Sequence, residues 1–191
     1  MLHLRRPRPD RVSDFVARQR EQPFSYAAVG CTREENRPAR YALDHNRQLL
    51  GTGAAAFQRA KQAVRAWRMF PAPWTAIEPA DAPIETGTTV AVHVNVLGLW
   101  WLNATRIVYT IDGSRTFGFA YGTLPGHAEM GEERFVVEWL DDDTVWYDVL
   151  AYSRPRHVLA RLAFPLARHF QKKFGRASKA SMAASVAESI R

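Results

Sequence analysis

The stretch Gly118-Phe119-Ala120-Tyr121-Gly122-Thr123-Leu124-Pro125-Gly126-His127-Ala128-Glu129-Met130-Gly131-Glu132-Glu133-Arg134-Phe135 joins two strand-like runs through a Pro-Gly turn. On its upstream side Phe117, Phe119 and Tyr121 recur at every second position, and on its downstream side Phe135, Val137 and Trp139 do the same, alternating with Arg134, Val136 and Glu138. A period of two marks a strand with one buried face. The connection carries His127, Glu129, Glu132 and Glu133, ionisable groups beside aromatic strands, which suits a ligand pocket.

The same period extends in both directions. Val90, Val92, Val94 and Val96 alternate with Ala91, His93 and Asn95, and Ile107, Tyr109 and Ile111 alternate with Arg106, Val108 and Thr110. Asp112-Gly113 is a turn signal leading into Phe117. The acidic turn Asp141-Asp142-Asp143 precedes Val145, Tyr147 and Val149, which alternate with Trp146, Asp148 and Leu150. Successive strands joined by short turns predict an antiparallel meander of about five strands.

Outside the meander the period changes. Phe57, Ala60, Val64 and Trp67 fall on one face of a helix predicted over 54–69, which Pro71 and Pro73 stop. Asp10 is placed to cap a helix from 11 to 21, ended by Pro23. Extended segments are expected over 24–32, 41–50 and 74–77. At the end of the chain Leu159, Leu162, Leu166, Phe170 and Phe174 form an apolar stripe that Met182, Val186 and Ile190 continue. This predicts a long final helix, capped by Ser153, with Pro155 in its first turn and a kink at Pro165. The expected class is therefore α+β, a curved antiparallel sheet wrapped around a long kinked C-terminal helix. One domain over 1–191 is expected, with 1–22 and 176–191 peripheral.

Composition narrows the function. The single cysteine, Cys31, excludes a disulfide framework and a multi-cysteine metal site, and points to a reducing, cytoplasmic location. The start Met1-Leu2-His3-Leu4-Arg5-Arg6-Pro7-Arg8-Pro9 has no apolar run of the signal-peptide kind, and the apolar stretch 90–102 is too short to span a bilayer. The formal charge is +7, and no acidic residue occurs between Val149 and Ala187. Arg161, Arg168, Lys172 and Lys173 in that segment would attract an anionic membrane or nucleic acid, although a solvated helix face explains them as well. No His-Glu-x-x-His, Gly-x-Ser-x-Gly or P-loop pattern occurs, and neither a metal nor another cofactor is expected.

The signature over 118–135 resembles that of a family of small bacterial and plant proteins classed as a domain of unknown function. Phe24-Ser25-Tyr26, Trp100-Trp101-Leu102-Asn103, Arg106-Ile107-Val108-Tyr109 and Ser153-Arg154-Pro155-Arg156-His157 extend the resemblance over nearly the whole chain. Membership implies the START-like, or helix-grip, superfamily, in which a sheet and helix often hold apolar ligands between them. It implies no catalytic residue.

Trp101, Asn103, Phe119, Tyr121, His127, Glu129, Glu132 and Arg134 are the candidate ligand-contacting residues. A small hydrophobic or aromatic molecule between sheet and helix is the leading expectation. An enzyme of cyclase, isomerase or hydrolase type, using Tyr121, His127, Glu129 and Glu132 for proton transfer, is the second. Ion pairing of Glu129 and Glu132 with Arg134 or Arg154, and of Arg106 with Glu138 or Asp148, is the structural alternative.

Overall fold

The structure, a computed structural model, describes residues 1–34, 38–70, 73–156 and 164–188. In chain order its elements are β1 (Leu2–His3), α1 (Pro9–Arg20), β2 (Ala42–Thr52), α2 (Gly53–Arg65), β3 (Thr75–Glu78), β4 (Thr89–Val96), β5 (Leu99–Asp112), β6 (Thr116–Thr123), β7 (Glu129–Trp139), β8 (Thr144–Pro155) and α3 (Phe164–Glu188). The strands form one antiparallel sheet in the order β2-β8-β7-β6-β5-β4-β3, with β1 added along β5. The meander β4–β8 is the centre of this sheet, as the period-two pattern predicts. The β2 strand joins after the meander by pairing along β8.

Three layers result. On the concave face α2 and α3 pack over the inward residues of the strands. Phe57, Val64 and Trp67 meet Phe119, Phe135, Val137 and Tyr147 there, and Met182 and Val186 of α3 join the same core. The stretch 176–191, expected to be peripheral, thus contributes the fully buried side chains of Ser178, Met182 and Val186. On the convex face Val12, Phe15 and Val16 of α1 pack on Ala91, Leu102, Ala104 and Leu124. Next to them Tyr26, Cys31 and Tyr41 cover Leu150 and Tyr152. Two glycines of the quoted stretch allow these covers to close. A Cβ on Gly122 would lie 2.3 Å from the Tyr26 hydroxyl, and one on Gly126 would lie 2.6 Å from the Phe15 ring.

Several expectations change. Ser153 and Pro155 do not begin the last helix. They end β8, where Ser153 pairs with Ala42 and Gly131 and Pro155 lies opposite Glu129. Proline is tolerated there because the last position of a strand needs no ladder N–H. Within the described residues α3 starts at Phe164, so the kink expected at Pro165 would involve residues outside that set, as do Leu159, Arg161, Leu162, Ile190 and the side chain of Leu166. Residues 24–32 form a run of turns and bends, not a strand. A bulge between Ile107 and Tyr109 puts these two on opposite faces. Asp10 lies in the first turn of α1 and Arg8 takes the cap position without a side-chain bond. Among the described residues Arg106 pairs with no carboxylate. Its guanidinium donates to the carbonyls of Gln19, Arg20 and Gln22, closing the C-terminal end of α1.

Candidate functional site

The helices fill only part of the concave face. At the end where α3 passes over β2, β8 and β7, a cavity of about 370 Å³ remains between sheet and helix. Its apolar wall is built by Val92 and Val94 of β4, Val149 and Ala151 of β8, Phe70 and Trp74 from the segment after α2, and Phe170 and Phe174 of α3. The α3 aromatics are spaced four apart and so share a helix face. Phe70 packs on Phe174, Phe135 and Tyr121, with ring centroids 5.4 to 6.3 Å apart, which fixes the floor.

The polar wall comes from β7 and β6. Continuing the alternation of Phe135 and Val137 toward the start of β7 brings Glu133, Gly131 and Glu129 to the concave face, and all three border the cavity. Tyr121, directly opposite Glu133 in β6, donates its hydroxyl to Glu133 Oε2 at 2.7 Å. Burial pushes the Glu133 carboxyl up to about 7, against the lowering effect of this hydrogen bond, with the negative charges of Glu129 and Asp44 adding to the rise. Burial also raises the Tyr121 hydroxyl well above its ordinary range, so it remains a donor.

Glu129 sits at the mouth. The side-chain amide of Gln171 donates to both of its oxygens at 2.8 Å and lies 3.1 Å from Ser153 Oγ. Burial raises the Glu129 carboxyl, and the bonds from Gln171 and Ser153 oppose this. Gln171 Oε1 in turn accepts from Arg168, whose guanidinium grips Asp44 of β2 through both terminal nitrogens. A continuous chain of bonds from Asp44 to Glu129 therefore ties α3 to β2 and β7 beside the opening. Arg168, expected as a contact for an anionic surface, is engaged in this chain.

His127 lies in the turn before β7. Its Nδ1 lies 2.9 Å from the Glu129 amide nitrogen and 3.1 Å from the Glu129 carbonyl oxygen, so the backbone of Glu129 engages this ring atom. Burial pushes this imidazole down to about 3, so the ring is neutral. Asn103 Oδ1 accepts from the Ala128 amide at 3.2 Å and holds the same turn.

Of the expected contact residues, Trp101, Asn103, Tyr121, His127 and Glu129 border the cavity with their concave-face side chains. Glu132 borders it too, but its carboxylate is held on the convex face. The Tyr26 hydroxyl (2.5 Å), the Gly30 amide (2.7 Å), the Thr32 amide (3.0 Å) and the Thr32 hydroxyl (2.5 Å) all donate to it. Arg134 is on that face as well, bonded to the Thr32 carbonyl and to Asp148. Phe119 is buried beneath the cavity wall, edge-on to Trp67. In place of the expected arginine pairing, Glu129 is bound by the Gln171 amide and Glu132 by hydroxyls and backbone N–H groups. Glu133, Gln171, Trp74 and Phe174 are among the wall residues outside the expected set. For Glu133 the signal was present in the alternation of β7.

Cys31 is buried on the convex face, where desolvation and Glu132 push its thiol up to about 12. Among the described residues no group of three or more His, Cys, Asp or Glu side chains is arranged to hold a metal ion, and no helix is long and apolar enough to cross a membrane.

The geometry has known counterparts. The aromatase/cyclase Zhui from a Streptomyces species superposes with a TM-score of 0.55 over 80% of this chain and 96% of that one, at 12% identity, a likeness of fold alone. This places the architecture among helix-grip folds. A UPF0548 protein of Deinococcus radiodurans is 37% identical over 198 residues, covering 93% of this chain and 99% of its own. A UPF0548 protein of Dictyostelium discoideum is 33% identical over 195 residues, covering 91% and 90%. The model of the domain of unknown function DUF1990 matches residues 25–181, and on that match and these near end-to-end relatives the chain belongs to the DUF1990 family.

Proposed function

We propose that the protein binds a small hydrophobic or aromatic molecule in the space between the sheet and α3. The observation that carries this reading is the cavity itself, about 370 Å³, with aromatic and aliphatic side chains over much of its wall and polar groups contributed by β2, β5, β7, β8 and α3. That volume and that division of the wall are characteristic of small-molecule sites. A core built only for stability closes such a space, because each unfilled void costs packing energy.

Two experiments test the reading. Organic extraction of the purified protein followed by mass spectrometry should recover a small apolar compound in stoichiometric amount. Titration with the neutral apolar dye Nile red should saturate at one site. Ala151 lies in the wall opposite both Glu133 and Asp44, so Ala151→Trp should fill the cavity and abolish dye binding while the circular dichroism stays unchanged. An empty extract together with absent or non-saturable dye binding would defeat the proposal.

A second reading, an enzyme acting on that molecule, is favoured by the Tyr121–Glu133 pair. A carboxyl near pKa 7 bonded to a neutral phenol can accept or return a proton at neutral pH. The acid-base set expected from sequence is thereby narrowed. His127 is neutral with Nδ1 occupied, and the Glu132 carboxylate faces away, so Glu133 replaces both beside Tyr121.

A further inference from the structure

The cavity wall carries the opposite charge to the molecule around it. The chain has a formal charge of +7. Among the described residues no lysine or arginine borders the cavity, whereas Asp44, Glu129, Glu132 and Glu133 do. Two of these are already answered. Asp44 is held by Arg168, and Glu132 is held by its four donors on the convex face.

Glu129 and Glu133 remain, four positions apart on the same face of β7 with Gly131 between them. Their side-chain partners are neutral: the Gln171 amide for Glu129 and the Tyr121 hydroxyl for Glu133. Arg168 is close enough to act on Glu129 through space, but both of its terminal nitrogens are engaged by Asp44 and Gln171. The His127 ring is uncharged. Burial disfavours the ionised form of both glutamates, so the wall by itself satisfies these anions poorly. The rings of Trp74, Phe170 and Phe174 line the same cavity, and the Lys173 ammonium already lies 5.1 Å from the Trp74 centroid and 5.7 Å from that of Phe170. Ring faces attract cations and repel anions.

An anionic guest would face two carboxylates with no lysine or arginine among the described wall residues, and a purely apolar guest would leave both buried with neutral partners alone, which is costly. A guest with a protonated amine answers both carboxylates and gains from the ring faces. We propose that the cavity selects organic cations, an aromatic or apolar body bearing a protonated amine, with the ammonium group between Glu129 and Glu133 and the body against Trp74 and Phe174. This rests on the ligand-binding reading of the cavity.

The test uses the full chain and three probes that differ only in charge: 2-(2-naphthyl)ethylamine, 2-(2-naphthyl)ethanol and 2-naphthylacetate. Affinities are measured by calorimetry at about pH 8, above the value of about 7 to which Glu133 is pushed and where the amine is protonated, with Nile red reporting the cavity independently. The amine should bind about 10-fold tighter than the alcohol, about 1.4 kcal/mol, and the acetate weakest. In the Glu129→Gln/Glu133→Gln double variant that order should collapse while the circular dichroism stays unchanged. Equal affinities for the three probes, or an amine preference that survives in the double variant, would overturn the selectivity. If the dye binds and the amine has no advantage, only the cation selectivity falls; if neither the dye nor any probe binds, the ligand-binding reading falls with it.

Discussion

Replacing Glu133 by glutamine should stabilise the protein at alkaline pH and leave it nearly unchanged in acid. The carboxyl is pushed from its ordinary 4.5 up to about 7 by burial, so the fold prefers its protonated form. The folded state then holds a proton that the unfolded state releases, and stability falls as pH rises from about 4.5 to about 7. One pH unit corresponds to about 1.4 kcal/mol, so the ionised carboxylate destabilises the fold by about 3 kcal/mol above that window. Glutamine matches the protonated carboxyl in shape, and its carbonyl can accept the Tyr121 hydroxyl. The groups facing Glu133 are Tyr121 from β6, Glu129 from its own strand, Asp44 from β2 and Tyr147 from β8, and none supplies a positive charge. Urea unfolding of wild type and Glu133→Gln at about pH 5 and pH 8 checks the prediction. The variant should gain about 3 kcal/mol at pH 8, equivalent to about 6–12 °C in Tm for a chain of this size, and little at pH 5. The same gain at both pH values, or none at either, would refute the desolvation argument.

Other perturbations probe the surrounding structure. His127→Asn keeps an acceptor for the Glu129 amide but cannot titrate; because the wild-type imidazole is pushed down to about 3, its share of stability is lost as pH falls below about 6.5, and at about pH 5 wild type should have lost about 2 kcal/mol that the variant does not lose, read from the acid limb of the unfolding curves. Glu132→Gln sets an amide NH2 against a hydroxyl and a backbone N–H that both donate, and should cost about 2–3 kcal/mol in denaturant unfolding. Leu97, 81% exposed, holds a φ of 52° beside Gly98 in the β4–β5 turn. Asparagine suits that conformation better, so Leu97→Asn should raise stability by about 0.5–1 kcal/mol, and an unchanged or lowered Tm would count against strain at this turn.

Much of the fold was legible because the strands of the meander keep a period of two, broken by the bulge between Ile107 and Tyr109, and the second helix keeps a period of 3.6. What sequence could not give is where distant segments lay themselves on the sheet. Glu132 is tied to Tyr26, Gly30 and Thr32 about a hundred positions earlier, and Arg106 closes a helix that ends at Arg20; no local pattern announces either. Ser153-Arg154-Pro155 read as a helix start because Ser and Pro favour that position, yet pairing with β2 and β7 prevailed over local preference. The site was legible in part. The alternation in β7 already placed Glu133 with Phe135, but adjacency within the motif drew attention to Glu132 and Arg134, whose side chains point the other way. The aromatic residues Trp74 and Phe174 became wall residues only through tertiary packing.

The central claim is that the space between sheet and α3 is a binding site. The most direct measurement is a titration of the 15N-labelled protein with 2-(2-naphthyl)ethylamine, followed through its amide NMR shifts. Saturable shifts should appear at Val92, Tyr121, Glu133 and Phe174, while Cys31 and Arg106 on the convex face stay in place. Shifts that do not saturate, or that map to the convex face instead, would contradict the account.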